Sequence, residues 1–414
     1  MKYFKIIKKC RLCKSTNLKK SFDLGSSALC DQYQKTKKKQ TFFPLILLMC
    51  GDCGLSQISI TVSKKYIYKD YIYQTKSSVT LNKHFNSYAK KVKKRLKLND
   101  KDLVIDIGSN SGVLLGYFKK LKLNVLGVEP ALKIARNANK NKIPTIAKFF
   151  DKKVVDSILL KNKKPKIITI NNLFANIDRL DEFVNNLINL IDDKGSIVIE
   201  TSYLGGIIEN HIFDWIYHEH LSYFSIKPLA DFFSKKGFRL FDIDKSDSKG
   251  SSLRYYFTNK NNNMKISPII KKLLIVEKNR RYNSILRFKK FKNKIDIQKN
   301  KVTKFLLKNN EKNIVGYGAS ATTTTLLSYF KISKAINYIV DDDPSKYNTY
   351  SPGFFIPVKP SLHLNKNIPD IIIVFAWRYH LSIKKKIKKI LENLKKKKNI
   401  LLVTPLPTFK IEKL

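Results

Sequence analysis

The sequence predicts an α/β protein: a Rossmann-type, doubly wound sheet, with a small cysteine-bearing domain before it and a second Rossmann-like domain after it. Three observations predict this. Apolar strand-like runs alternate with helical spacing across 101–245. A glycine-framed turn follows the first of those runs. The same strand-and-helix rhythm returns after a basic helical stretch at about 267–309.

The elements follow in order. Residues 1–62 carry two CxxC pairs. Residues 63–100 form a Tyr- and Lys-rich connector, and Leu81, Phe85, Tyr88 and Val92 share one helical face within it. Residues 101–245 hold strands at 103–107, 124–128, 166–170 and 195–200, with helices at 112–121, 131–138 and 180–191 between them. Residues 246–414 hold strands at 313–317, 335–340, 370–375 and 399–403 and a helix at 322–330.

Composition bounds the partners. The chain has 414 residues and a formal net charge of +49 at pH 7. Such charge suits a polyanion, yet Lys, Asn and Ile abound in every block and no nucleic-acid motif accompanies them. Compositional bias is the preferred reading, and nucleic-acid binding is the lesser alternative. No apolar run is long enough to span a bilayer, and the opening MKYFKIIKKC lacks the apolar core of a secretion signal. A cytoplasmic protein without a membrane partner is expected, and a monomer is favoured.

Three motifs carry chemistry. Cys10-Arg-Leu-Cys13 and Cys50-Gly-Asp-Cys53 each place two thiolates on one knuckle. Two knuckles close a four-sulfur shell suited to structural Zn2+. Cys30 is expected in the core. The second motif runs from Leu103 through Asp106, Gly108, Ser109 and Asn110 to Gly112, and Glu129 follows after the next strand. The spacing D-x-G-x-x-x-G differs from the GxGxxG of nicotinamide enzymes and matches class I methyltransferases, whose cofactor is S-adenosylmethionine. The acid suits the ribose diol, and Asn171 and Asn172 lie where the crevice opens at the strand ends. The third motif packs Tyr217, His218, Glu219, His220 and Tyr223 into seven positions of a chain with six histidines. His218 and His220 are candidate bases because imidazole titrates near neutral pH, and Glu219 could orient one.

Together these motifs resemble the C-methyltransferases that act on nucleotide-linked 4-keto deoxysugars. CRLC with MCGDCGLSQI is similar to that family's zinc domain, VIDIGSNSG with GVEP to its cofactor loop, and IYHEHLSYFS to its signature run. KGSSLRYYF, IVGYGASATTTTLLSYF and VDDDPSKYNTYSPGFFIPV resemble its C-terminal motifs, which implies that 246–414 binds the nucleotide sugar. The resemblance implies carbon methylation beside a ketone, with His220 as base, Tyr217 assisting, His218 and Glu219 in support, and Tyr71 or Tyr73 as a further active-site tyrosine. Three departures stand out. Asn176 occupies a position where the family has histidine, Ala321–Thr325 lacks the family's lysine, and Gly250-Ser251 replaces a glycine pair. The alternatives are an S-adenosylmethionine-dependent O-methyltransferase of a sugar or RNA, and a non-enzymatic zinc-ribbon protein that binds nucleic acid.

Overall fold

The computed structural model describes residues 3–67, 79–246, 251–392 and 399–414. Tyr71, Tyr73 and Gly250 lie outside the described residues.

The N-terminal region is built on the strands Leu18–Ser27, Phe43–Cys50 and Ser56–Ile58. Phe43, Leu45, Leu47 and Met49 alternate into the core, the pattern of a strand with one buried face. The fourth strand of this sheet comes from far along the chain. Ser222–Tyr223, at the end of the histidine run, pairs antiparallel with Ser56–Ile58.

The central sheet has seven strands, in the order Phe238–Ser246, Ser252–Asn259, Ser196–Ser202, Ile167–Asn171, Leu103–Ile107, Asn124–Val128 and Thr145–Ile146. Strand order reverses between Leu103–Ile107 and Ile167–Asn171, which pair in parallel. In an open α/β sheet the crevice for a ligand forms at that switch, beyond the carboxyl ends of the strands.

The connector supplies the helix Val79–Arg95. Phe85, Tyr88 and Val92 pack in one cluster with Leu115 and Phe118 of the helix Val113–Lys120 and with Val104 and Val198 of the sheet. Burial of such side chains contributes about 1.5–3 kcal/mol each, so this helix is part of the central domain's core.

Sequence places everything after 246 with the C-terminal block. Ser252–Asn259 instead lies inside the central sheet, antiparallel to Ser196–Ser202 and to Phe238–Ser246. Seven of its eight residues are buried, as expected of a strand covered on both faces. The basic stretch that follows is two helices, Pro268–Arg280 and Ile285–Leu307. Arg281 is left-handed between them, and the Ser284 side chain caps the second by accepting from the Arg287 N–H.

The C-terminal sheet runs in the order Val358–Pro360, Tyr338–Asp341, Ile314–Tyr317, Ile371–Val374, Leu401–Thr404 and Lys410–Lys413. All neighbours are parallel except the last pair, which is the Rossmann strand order. Among the described residues no helix is long and apolar enough to cross a membrane.

Candidate active site

The glycine turn sits at the switch point. Asp106, inside the first central strand, is buried, and its carboxylate accepts from Thr169 Oγ1 at 2.6 Å and Asn171 Nδ2 at 3.1 Å. Burial pushes its pKa up to about 7, against the pull of those two hydrogen bonds. Gly108 has φ +75°, the left-handed conformation that favours glycine, and a Cβ there would press on the movable tip of Leu173, whose Cδ2 lies 2.8 Å away. Glu129 accepts from the Asn110 N–H at 3.0 Å and the Ala131 N–H at 2.9 Å. Burial raises its pKa, and those two N–H groups oppose the rise. Each Glu129 oxygen keeps a further lone pair for a ligand donor. Ser109 Oγ, Ser111 Oγ and Asn171 Oδ1 are buried with no hydrogen-bond partner among the described residues. Unpaired buried polar atoms are costly, and a diol- and amine-bearing cofactor offers the partners they lack. Asn172 adopts a left-handed turn with φ 54°, its N–H on the Glu200 carbonyl at 2.8 Å.

The four cysteines of the CxxC pairs converge, with every sulfur within 4.8 Å of the others. Cys10 and Cys53 Sγ lie 3.5 Å apart, as do Cys13 and Cys50. A tetrahedral zinc–thiolate shell needs sulfurs about 3.8 Å apart, so the donor set fits Zn2+. The knuckles are built alike. Lys14 N–H bonds to the Cys10 carbonyl and Gly54 N–H to the Cys50 carbonyl, both at 3.0 Å, and Lys14 and Gly54 are both left-handed. Cys30 is buried elsewhere, 3.6 Å from Thr325 Oγ1.

The histidine run is a compact turn rather than a strand or helix. The His220 N–H bonds to the Tyr217 carbonyl at 3.1 Å, which turns both side chains to one side. Tyr217 Oη lies 3.1 Å from His220 Nε2. His220 Nδ1 is 3.3 Å from the Trp215 carbonyl. A carbonyl only accepts, so Nδ1 carries the proton of the neutral ring and Nε2 takes the Tyr217 O–H. Burial first, and the Glu219 charge second, hold the Tyr217 phenol well above its ordinary pKa, so it stays a donor. His218 turns away. Its Nε2 bonds to the Pro44 carbonyl at 3.2 Å and its ring packs edge-on to Phe43. Burial lowers its pKa to about 4, so His218 stays neutral at pH 7 and cross-links the run to the N-terminal sheet. Asn176 sits in a short 3-10 turn, its Oδ1 buried and unpartnered among the described residues.

Several side chains here escaped the sequence reading. Trp215 Nε1 donates to Ser202 Oγ at 2.7 Å, which hangs the run on the end of a central strand. Asp214, fully buried, accepts from Trp377 Nε1 at 2.9 Å and Arg378 Nη1 at 3.1 Å, both from the C-terminal domain. The Arg378 guanidinium also lies over the Trp215 ring, 5.1 Å from its centroid. Arg11, inside the first zinc knuckle, donates to the Leu221 carbonyl at 3.2 Å and the Ile58 carbonyl at 3.1 Å and pairs with Asp178. Glu200 bridges His84 and Arg254. Arg254 sits in the quoted KGSSLRYYF motif and Glu200 at a strand's carboxyl end, where ligand sites form. These two signals were available.

Family models match the chain in series: a “Putative zinc binding domain” over 10–68, a methyltransferase domain over 81–243 and a C-methyltransferase C-terminal domain over 247–407. The chain is similar to the C-methyltransferase NovU of Streptomyces niveus, 25% identical over 393 residues, with 94% of each chain covered. Among solved structures it is similar to an S-adenosylmethionine-dependent methyltransferase from Clostridium acetobutylicum ATCC 824, at 13% identity and TM-score 0.34, over 47% of this chain and 95% of that one. Magnesium protoporphyrin IX methyltransferase from Synechocystis PCC 6803 matches at 11% identity and TM-score 0.34, over 47% of this chain and 89% of that one.

Proposed function

We propose carbon methylation of a nucleotide-linked 4-keto deoxysugar for this chain, which belongs to the C-methyltransferases built from zinc-binding, methyltransferase and C-methyltransferase C-terminal domains and is an S-adenosylmethionine-dependent enzyme with a structural zinc site.

The Tyr217–His220 pair carries this reading. Methylation at carbon needs a base for the proton beside the ketone and a donor for the oxygen that gains charge. As substrate binds, Tyr217 turns its O–H from His220 Nε2 to the ketone oxygen and frees the Nε2 lone pair. Nε2 then takes the proton from carbon, the C–H pair becomes the C=C bond of an enolate, and the carbonyl π pair moves to oxygen. One pair thus supplies base and donor together. The Trp215 carbonyl stabilises the imidazolium through Nδ1–H. Bound S-adenosylmethionine supplies the sulfonium methyl group that the carbon takes up. Asp106, Asn171, Ser109, Ser111, Asn110, Asn172 and Glu129 would hold it, with Gly108 and Gly112 permitting close approach. The four cysteines would hold zinc and leave no open coordination position. Residues of the C-terminal domain meet the run through Arg378 and Trp377, which suits a nucleotide-sugar substrate bound between the two.

The assay is incubation with S-adenosylmethionine and a panel of dTDP-4-keto-deoxyhexoses, read by mass. A gain of one methyl group on carbon is expected. No methyl gain across the panel sinks the substrate reading, and transfer to oxygen or to RNA replaces it. His220→Ala is expected to lower turnover by at least 100-fold while S-adenosylhomocysteine affinity is retained. Full turnover in that variant removes His220 from the role of base.

A further inference from the structure

A second imidazole is tied to the same strand end by a carboxylate. Glu200 lies near the carboxyl end of Ser196–Ser202 with a fully buried side chain. Its Oε1 is 2.7 Å from His84 Nε2, and its Oε2 accepts from Arg254 Nη2 at 2.7 Å and Nε at 3.0 Å. The Arg254 guanidinium stacks 3.6 Å from the centroid of Tyr88, one helical turn after His84 on Val79–Arg95. Burial pushes the Glu200 pKa up, but the His84 hydrogen bond and the Arg254 charge hold it below its ordinary value.

Strand register places this group at the crevice. Glu200 pairs with Asn171 on one side and Arg254 on the other. Ile170 pairs with Ile107, so the row of Glu200 and Asn171 ends on Gly108 of the cofactor turn, two strands or about 10 Å away. Ser202 lies two residues after Glu200, hence on the same face, and anchors Trp215 and through it His220. Alternate residues of one strand therefore hold both histidines.

The bonding fixes what His84 offers. A carboxylate only accepts, so Nε2 carries the proton of the neutral ring and Nδ1 presents a lone pair. Among the described residues Nδ1 has no partner, and the side chain is 19% exposed. A surface histidine needs no buried Glu–Arg pair to orient it. Moreover, Asn171 Oδ1, another acceptor in this row, is buried and unpartnered.

We propose that His84, set by Glu200, is a ligand-reading residue of this site: its Nδ1 accepts a hydrogen bond from a hydroxyl or ammonium donor of the bound reactants. The donor is a sugar hydroxyl or the α-amino group of the cofactor. The hydroxyl version rests on the proposed sugar substrate, and the ammonium version does not. Glu200 acts through His84 as a positioning residue.

The test compares wild type, His84→Phe and His84→Gln. Phe keeps the ring and removes both nitrogens, whereas Gln keeps a donor for Glu200 and an acceptor. Thermal melting checks that each variant folds. S-adenosylhomocysteine affinity is read by calorimetry, and KM and kcat are read with the keto-sugar. A tenfold to hundredfold rise in KM in His84→Phe at unchanged cofactor affinity, partly rescued in His84→Gln, assigns the donor to the sugar. The same loss in S-adenosylhomocysteine affinity assigns it to the cofactor amine. Wild-type values for both quantities in His84→Phe overturn the proposal. A wild type that methylates no keto-sugar sinks the substrate reading instead, and unchanged S-adenosylhomocysteine affinity in His84→Phe would then sink the His84 assignment too.

Discussion

Replacing Glu129 by Gln is expected to be almost as damaging to cofactor binding as replacing it by Ala. Both carboxylate oxygens accept from backbone, one from the Asn110 N–H at 3.0 Å and one from the Ala131 N–H at 2.9 Å. Glutamine has one acceptor oxygen and one NH2 group. Whichever way the amide turns, its NH2 faces a backbone N–H, so one bond becomes a donor–donor contact. Only one oxygen remains for the diol. A hydrogen bond to a charged group contributes about 1.5–3 kcal/mol, and 1.4 kcal/mol is tenfold in Kd. Glu129→Gln should therefore weaken S-adenosylhomocysteine binding by about 10- to 100-fold. Glu129→Ala loses both ligand bonds but leaves room for water at the two N–H groups, so it should fall within about tenfold of Gln. Isothermal titration calorimetry at pH 8 reads both. A Glu129→Gln protein that binds within threefold of wild type refutes the reasoning, because the carboxylate would then not be shared between turn and ligand.

Two further outcomes follow from the same geometry. Burial raises the Asp106 pKa from its ordinary 3.8 to about 7 in the folded protein. Its contribution to the stability of the cofactor-free protein is complete below about pH 3.8 and is lost as pH rises through about 7. A cationic cofactor favours the ionised carboxylate, so binding should release protons near pH 7. Calorimetry in buffers of different ionisation enthalpy measures this, and Asp106→Asn should abolish the release. Arg11→Met should lower stability by about 3 kcal/mol, the cost of leaving Asp178 and two carbonyls without a buried cation. Because Arg11 reaches the Leu221 carbonyl beside His220, Arg11→Met should also lower kcat while the protein still holds one zinc by metal analysis. Unchanged kcat would uncouple the knuckle from the run.

Features whose residues lie close together along the chain were legible in it. The CxxC knuckles, the turn from Asp106 to Gly112 with Glu129 after it, and the run from Tyr217 to His220 are short-range patterns whose spacing dictates backbone shape. The alternation of strands and helices likewise announced both Rossmann-like sheets. The rest was decided by contacts between distant residues. Ser222–Tyr223 shows no signal for joining a sheet begun at Leu18, and edge pairing is set by which backbone groups remain unpaired after folding. Ser252–Asn259 looked like the opening of the last domain because strand spacing does not specify a partner; its register with Ser196–Ser202 does, and it brings Arg254 to Glu200. The roles of the two histidines in the signature run separated only in three dimensions. His218 and His220 are chemically identical in the sequence, but one is buried against Pro44 with its pKa near 4, while the other holds the Tyr217 hydroxyl. Hydrogen-bond partners and desolvation set what an imidazole can do, and both are properties of the packed molecule.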